Sequence, residues 1–153
     1  FDARHFGTTP WGNQKTGPFR ARFLIESVQD LRGGLRRLGA DLVVRYGKPE
    51  DVIRELLSDH RVWYQRETTH EELQVEKAVR SAVAEREGCS CRPVWGSTLY
   101  HLEDLPITPQ RMTNTFGHFN NACRSCKIRP PLPEPTAVDA VPHPATEIPM
   151  LTE

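Results

Sequence analysis

Strand-like and helix-like segments alternate along the first two thirds of the chain, and this alternation limits the fold more than any other feature. Short, mainly apolar runs predict β-strands at residues 41–45, 62–64 and 90–95. Apolar residues spaced three or four apart predict helices at residues 19–38, 49–57 and about 70–86. The alternation favours a parallel sheet with flanking helices, so we predict an α/β, Rossmann-like fold.

The segment 19–38 carries the clearest helical pattern. Gly39 follows it as a natural C-terminal stop. Its leucines and valine recur at spacings of four and three, which predicts one core-facing stripe. The stripe consists of Leu24, Val28, Leu31, Leu35 and Leu38.

The charge balance argues against nucleic acid as a partner of these residues. Lys and Arg together number 20, and Asp and Glu together also number 20. Proteins that hold duplex DNA normally carry a basic excess, because phosphate contacts supply much of their affinity. DNA binding by this chain alone is therefore not expected. The sequence also contains no apolar run long enough for a transmembrane helix.

The composition changes after about residue 106. Seven of the 13 prolines lie between positions 130 and 149, where they oppose helices and central strands. We therefore predict two parts, an α/β domain over 1–106 and a linker or extended Pro-rich strap over 107–153.

Several segments keep an order and spacing that point to one family. They are FDARHFG at 1–7, KTGPFRARFLIESV at 15–28, GKPEDV at 47–52, ETTHEEL at 67–73 with VEK at 75–77, and WGSTLYHLEDLP at 95–106. Together they resemble the N-terminal α/β (antenna) domain of the DASH-type cryptochromes and DNA photolyases. The resemblance covers roughly residues 1–106.

The same resemblance implies that parts of the family fold lie outside this sequence. Family members begin with a central strand that precedes the segment matched here, and they continue into a helical flavin-binding domain. We therefore expect the sequence to be incomplete at its N-terminus, or a protein partner to cover the missing strand and the Pro-rich tail. FAD chemistry, and any DNA photolyase activity, would require the flavin domain.

Glu71, with His70 beside it, is the candidate cofactor-binding site. In folate-using members of the family, a Glu at the start of this helix binds the pterin ring of methenyltetrahydrofolate, and Glu71 matches that position. A simpler interpretation is that Glu71 and Glu72 only stabilise a helix N-terminus, where Thr69 and Glu72 form a capping-box pattern. No catalytic constellation is evident.

The four cysteines allow a zinc hypothesis that their spacing does not favour. Cys89 and Cys91 are separated by one residue, and Cys123 and Cys126 by two. The one-residue spacing is unusual for structural zinc. We therefore expect no metal site and ordinary thiols, and we expect a disulfide within either pair to be strained or redox-active.

Two functions follow from these observations. In the first, the chain is a binding or scaffold subunit without photochemistry of its own, in a larger assembly. In the second, it is the folate-binding antenna domain of a longer DASH-type flavoprotein in blue-light sensing or DNA repair. The resemblance implies a plastid or a mitochondrion as the compartment.

Overall fold

The computed structural model describes residues 1–57, 61–139 and 147–149. The chain divides into two compact units. The first contains Phe1–Leu56 and Pro133–Glu153, and the second contains Leu57–Leu132. The described residues confirm a mixed α/β fold with a parallel strand pair and four α-helices.

Two helices dominate the first unit. Helix α1 spans Pro18–Arg37, and helix α2 spans Pro49–Leu56. Both begin with a proline, whose fixed φ suits the first turn and whose missing N–H is not needed there. Gly39 follows α1 with a φ of +90°, a conformation that glycine adopts without strain. Both helices confirm the sequence predictions.

The predicted core stripe of α1 is only partly correct. Leu24 is 39% exposed and Leu31 is 53% exposed, whereas Arg32 is only 8% exposed. Arg32 is buried because its Nε donates to the Asp41 carboxylate at 2.7 Å, just beyond the end of the helix. Hydrophobic periodicity identifies a helix well, but it cannot show which of its faces an ion pair will cover.

Residues 41–45 do not form the predicted strand. They are free of regular secondary structure, although Val44 is buried. The Phe1 amino group donates to the Arg45 carbonyl, and the Gly47 N–H donates to the Phe1 carbonyl at 3.0 Å. A strand needs a neighbouring strand to complete its hydrogen-bond ladder, and the described part of this unit contains no regular strand.

The second unit contains the sheet. Strand β1 spans Arg61–Gln65, strand β2 spans Ser90–Val94, and the two run parallel. Trp63 lies opposite Arg92, whose guanidinium carbon sits 4.7 Å from the centre of the indole ring. Such a cation–π contact adds a cross-strand attraction to the ladder. Both strands confirm the sequence predictions.

Helix α3 spans His70–Ala84, connects the two strands and packs against β2. Its buried residues are Val79, Ala82 and Val83, which lie on one face of the helix. Thr69 is the N-cap residue, as predicted, but its side chain makes no capping hydrogen bond. The full capping box expected from Thr69 and Glu72 is therefore not formed.

A short helix lies in the region where the sequence predicted only a linker or strap. Helix α4 spans Phe116–Cys123, and a 3₁₀ helix precedes it at Leu102–Asp104. Residues 127–135 lack helix and strand, and the Val138 N–H donates to the Leu38 carbonyl at 3.0 Å. Part of the predicted strap, 140–146 and 150–153, lies outside the described residues. The domain division at residue 106 stays a prediction.

Candidate functional site

The carboxyl ends of β1 and β2 lie side by side and form the candidate site. Gln65 pairs with Val94 at the last position of the register, and the Arg66 N–H donates to the Val94 carbonyl at 2.8 Å. The Gln65 side chain then donates to the Ser97 hydroxyl at 2.6 Å. Ligands of open parallel sheets bind outside the carboxyl ends of the strands. We call this region, residues 65–72 and 95–100, the carboxyl edge.

The first turn of α3 brings the predicted cofactor ligands to this edge. The helix begins at His70, shortly after β1 ends at Gln65, so the connection is short. His70, Glu71 and Glu72 are all exposed. The two carboxylates also lie at the positive end of the helix dipole, which favours negative charge. The structure thus places His70 and Glu71 at an accessible position.

The loop after β2 is ordered by its own side chains. The Trp95 indole N–H donates to the Thr98 hydroxyl at 2.8 Å, and that hydroxyl donates to the Tyr100 carbonyl. The His101 Nδ1 accepts from the Glu103 N–H at 3.3 Å, which caps the 3₁₀ helix Leu102–Asp104. These contacts fix the conformation of the loop that leaves β2 at the carboxyl edge.

A buried hydroxyl lies between β1 and α3. The Tyr64 hydroxyl and one carboxylate oxygen of Glu76 are both shielded from solvent, and neither has a hydrogen-bond partner of good geometry within the described chain. Burial, followed by the adjacent Glu76 carboxylate, raises the pKa of Tyr64. Tyr64 is therefore a neutral phenol at physiological pH.

The first unit contains an apolar cavity that the sequence analysis missed. Its volume is about 420 Å³, and it is lined mainly by Phe1, Ala3, Phe6, Ala21, Ile25 and Tyr46. The rings of Phe1 and Tyr46 stack with centroids 5.8 Å apart. In the sequence, the aromatic residues of the FDARHFG segment could have indicated this cavity.

An ion-pair cluster holds the loop beside this cavity. Asp2 is only 8% exposed and accepts hydrogen bonds from the Arg4 backbone N–H and guanidinium. Arg4 also donates to both carboxylate oxygens of Glu50, at 3.2 and 3.0 Å. Burial alone would raise the pKa of Asp2, but the hydrogen bonds and charge of Arg4 outweigh it and lower that pKa. The charges of Asp2, Arg4 and Glu50 therefore serve to hold this loop in its folded conformation.

The described ranges contain neither a metal-binding cluster nor a membrane-spanning helix. Within them, no group of three or more His, Cys, Asp or Glu side chains is arranged to hold a metal ion. The cysteines there are free thiols, and Cys123 is buried. None of the helices in these ranges is both long and apolar enough to cross a membrane.

A family model described as DNA photolyase matches residues 2–137 of the chain. Among curated proteins, Cryptochrome DASH of Gloeobacter violaceus is 46% identical over the whole chain, which covers 31% of that protein. Blue-light photoreceptor PHR2 of Arabidopsis thaliana is 44% identical over 84% of the chain, which covers 29% of that protein. The chain thus spans about a third of the length of the curated relatives that it matches.

Solved structures agree with these matches. The structure of the Synechocystis sp. cryptochrome superposes with a TM-score of 0.89 and 35% sequence identity. That superposition covers 97% of this chain and 32% of the Synechocystis protein. Some plant relatives, such as the one from rice, are named chloroplastic/mitochondrial, whereas other relatives are bacterial or animal.

Proposed function

The chain belongs to the DNA photolyase family, and on that premise we propose that it is the antenna domain of a DASH-type cryptochrome or photolyase. Its task would be to hold a light-harvesting chromophore of the folate class beside a flavin domain. The superposition on the Synechocystis cryptochrome over nearly the whole chain is the observation that carries this proposal.

The polar side chains at the carboxyl edge suit one side of a pterin ring. A pterin presents adjacent N–H donors, and a carboxylate accepts two such hydrogen bonds in parallel. Glu71 lies exposed on the first turn of α3, where a ring can approach it from outside, and His70 adds a second polar group. When bound, the folate would supply light absorption, while Glu71 and His70 would bind and orient the ring.

The scaffold hypothesis has weaker support. It rests on the neutral charge balance and the Pro-rich tail, and both are compatible with an antenna domain as well. Among the described residues, neither unit offers a specific observation that favours a scaffold. The scaffold role, the protein partner and a plastid or mitochondrial location stay predictions.

The test is the chromophore content of the complete native polypeptide. We expect absorption spectroscopy and mass spectrometry of the extracted small molecules to find a folate-type chromophore at close to one per polypeptide. A well-folded polypeptide that retains flavin but no folate-type chromophore would refute the folate antenna function. Absence of both pigments, with a native circular dichroism spectrum, would favour the scaffold hypothesis instead.

A further inference from the structure

Two thiols meet at the C-terminal end of α4. Cys123 is the last residue of the helix and is 1% exposed, whereas Cys126 is half-buried. The Cys126 N–H donates to the Cys123 carbonyl at 2.9 Å, which closes a tight turn. Such a turn keeps the two Cα atoms within about 7 Å of each other, and a disulfide bridges Cα atoms about 4.4–6.8 Å apart. The turn therefore keeps the two Cα atoms within the range that a disulfide can bridge.

The electrostatics of Cys123 are consistent with a close neighbour. Burial raises the pKa of the Cys123 thiol, and the adjacent Cys126 thiol adds to the shift. A second sulfur atom thus lies next to the buried one. Cys123 lies at the C-terminal end of α4, where the negative end of the helix dipole disfavours a charged thiolate.

One of the two thiols, Cys126, also forms a hydrogen bond to a neighbouring segment. The Cys126 sulfur donates to the Asp104 carbonyl at 3.6 Å. The Asp104 carboxylate in turn accepts two hydrogen bonds from the Arg129 guanidinium, at 2.6 and 2.8 Å. We call this group of three residues, Asp104, Cys126 and Arg129, the clasp. It ties residues 126–129 to the 3₁₀ helix Leu102–Asp104.

We propose that Cys123 and Cys126 form a reversible redox site that closes a disulfide by exchange with a small disulfide such as oxidised glutathione. This inference goes beyond the antenna function and does not depend on it. Two thiols that face each other do not make a zinc site, because within the described residues no further ligand joins them.

The exchange proceeds in two balanced steps. Cys126, the more accessible thiol, loses its proton and attacks one sulfur of the glutathione disulfide, and one glutathione leaves with a proton. Cys123 then loses its proton and attacks the Cys126 sulfur, and the second glutathione leaves with that proton. Two cysteine thiols are oxidised by two electrons, and one glutathione disulfide is reduced to two thiols.

Oxidation changes the clasp because it removes a hydrogen-bond donor. A disulfide sulfur carries no hydrogen, so the bond from Cys126 to the Asp104 carbonyl is lost. The bonds between Arg129 and Asp104 do not require a thiol and remain. We therefore expect residues 126–129 to be held less firmly in the oxidised protein.

Peptide mapping tests the disulfide in the complete native polypeptide. The protein is equilibrated with glutathione of increasing oxidised fraction, quenched with acid, labelled with a maleimide and cleaved with trypsin. Cleavage after Arg124 separates the two cysteines, so the disulfide appears as two linked peptides. We expect the linked form to become dominant and a dithiol to reverse it. Two outcomes would overturn the proposal. One is maleimide labelling of both cysteines at every oxidised fraction of glutathione, and the other is a glutathione adduct that is never replaced by the 123–126 disulfide.

Variants identify the roles of the two thiols. Cys123→Ser should accumulate the glutathione adduct on Cys126, because the resolving thiol is absent. Cys91→Ser is the matched control, since it removes a half-buried thiol elsewhere in the second unit, and it should form the 123–126 disulfide as the wild type does. A control that abolishes the disulfide would overturn the assignment to this pair.

Hydrogen exchange tests the effect on the clasp. Cys126→Ser keeps a donor for the Asp104 carbonyl, so its amide exchange at 126–129 should match that of the reduced wild type. Cys126→Ala and the oxidised wild type should both exchange faster there. Equal exchange in all four proteins would overturn the coupling between the redox site and the clasp.

Discussion

Arg4 and Glu50 lie 46 positions apart in the chain, yet the Arg4 guanidinium donates two hydrogen bonds to the Glu50 carboxylate. Arg4 belongs to the FDARHFG segment, and Glu50 belongs to the GKPEDV segment at the start of α2. Two of the segments that carry the family resemblance are thus physically joined. Because Arg4 also holds the buried Asp2, these residues of the motif stabilise the fold of the first unit.

Replacing Arg4 should therefore destabilise the protein. Arg4→Met leaves the Asp2 carboxylate buried without its guanidinium, and an unpaired buried charge costs stability. Arg4 is partly exposed, so we expect a loss of about 1–2 kcal/mol in the free energy of unfolding, measured with urea. Arg22→Met is the matched control, because the Arg22–Glu26 pair is exposed and should contribute almost nothing. Equal losses for the two variants would contradict this role of Arg4.

The lowered pKa of Asp2 predicts a dependence of stability on pH. A carboxyl whose pKa is depressed in the folded state binds fewer protons there than in the unfolded state. Its contribution is fully present above the ordinary pKa of about 3.9 and is lost as the pH falls through the folded value. The difference in stability between the wild type and Asp2→Asn should thus be constant from pH 7 to about 5 and shrink below about 4. A difference that stays the same in acid would show that Asp2 does not contribute as an anion.

The role of Glu71 in chromophore binding can be tested by comparison with Glu72. Glu71→Gln replaces one acceptor oxygen with a donor, so it should weaken retention of a folate-type chromophore by about tenfold or more. Glu72→Gln is the matched control, because it makes the same change in the same exposed turn. Chromophore content per polypeptide, measured after dialysis, compares the two. Equal retention by both variants would remove Glu71 as a ligand.

The buried Tyr64 hydroxyl offers a prediction about stability. Tyr64→Phe removes a shielded hydroxyl that has no well-formed hydrogen bond in the described chain, so the variant should be as stable as the wild type or slightly more stable. Val79→Ala, on the α3 face buried in the same unit, should instead cost about 2 kcal/mol through lost burial and a cavity. Chemical denaturation measures both. A large loss in Tyr64→Phe would mean that its hydroxyl has a partner in solution.

Local patterns were sufficient to predict most of the regular structure. Helices α1, α2 and α3 and both strands appear within a few residues of their predicted bounds, because the spacing of apolar side chains is a local property of the chain. Helix α4 escaped prediction because it contains Gly117, Asn120 and Asn121, residue types with low helix propensity. The position of Glu71 on the first turn of α3 was also predictable, since the helix start is marked by Thr69 and two acidic residues.

The α/β class, the parallel pairing of β1 and β2, and the helix start that carries His70 and Glu71 could all be predicted from local patterns in the sequence. Tertiary structure decided whether residues 41–45 form a strand, because a strand depends on hydrogen bonds from a neighbour that no local pattern can supply. It also decided that Arg32, rather than Leu31, is buried, since Asp41 folds back onto the helix. Tertiary structure likewise decided that Cys126 contacts Asp104. These features join residues distant along the chain, and their positions are fixed only when the elements pack.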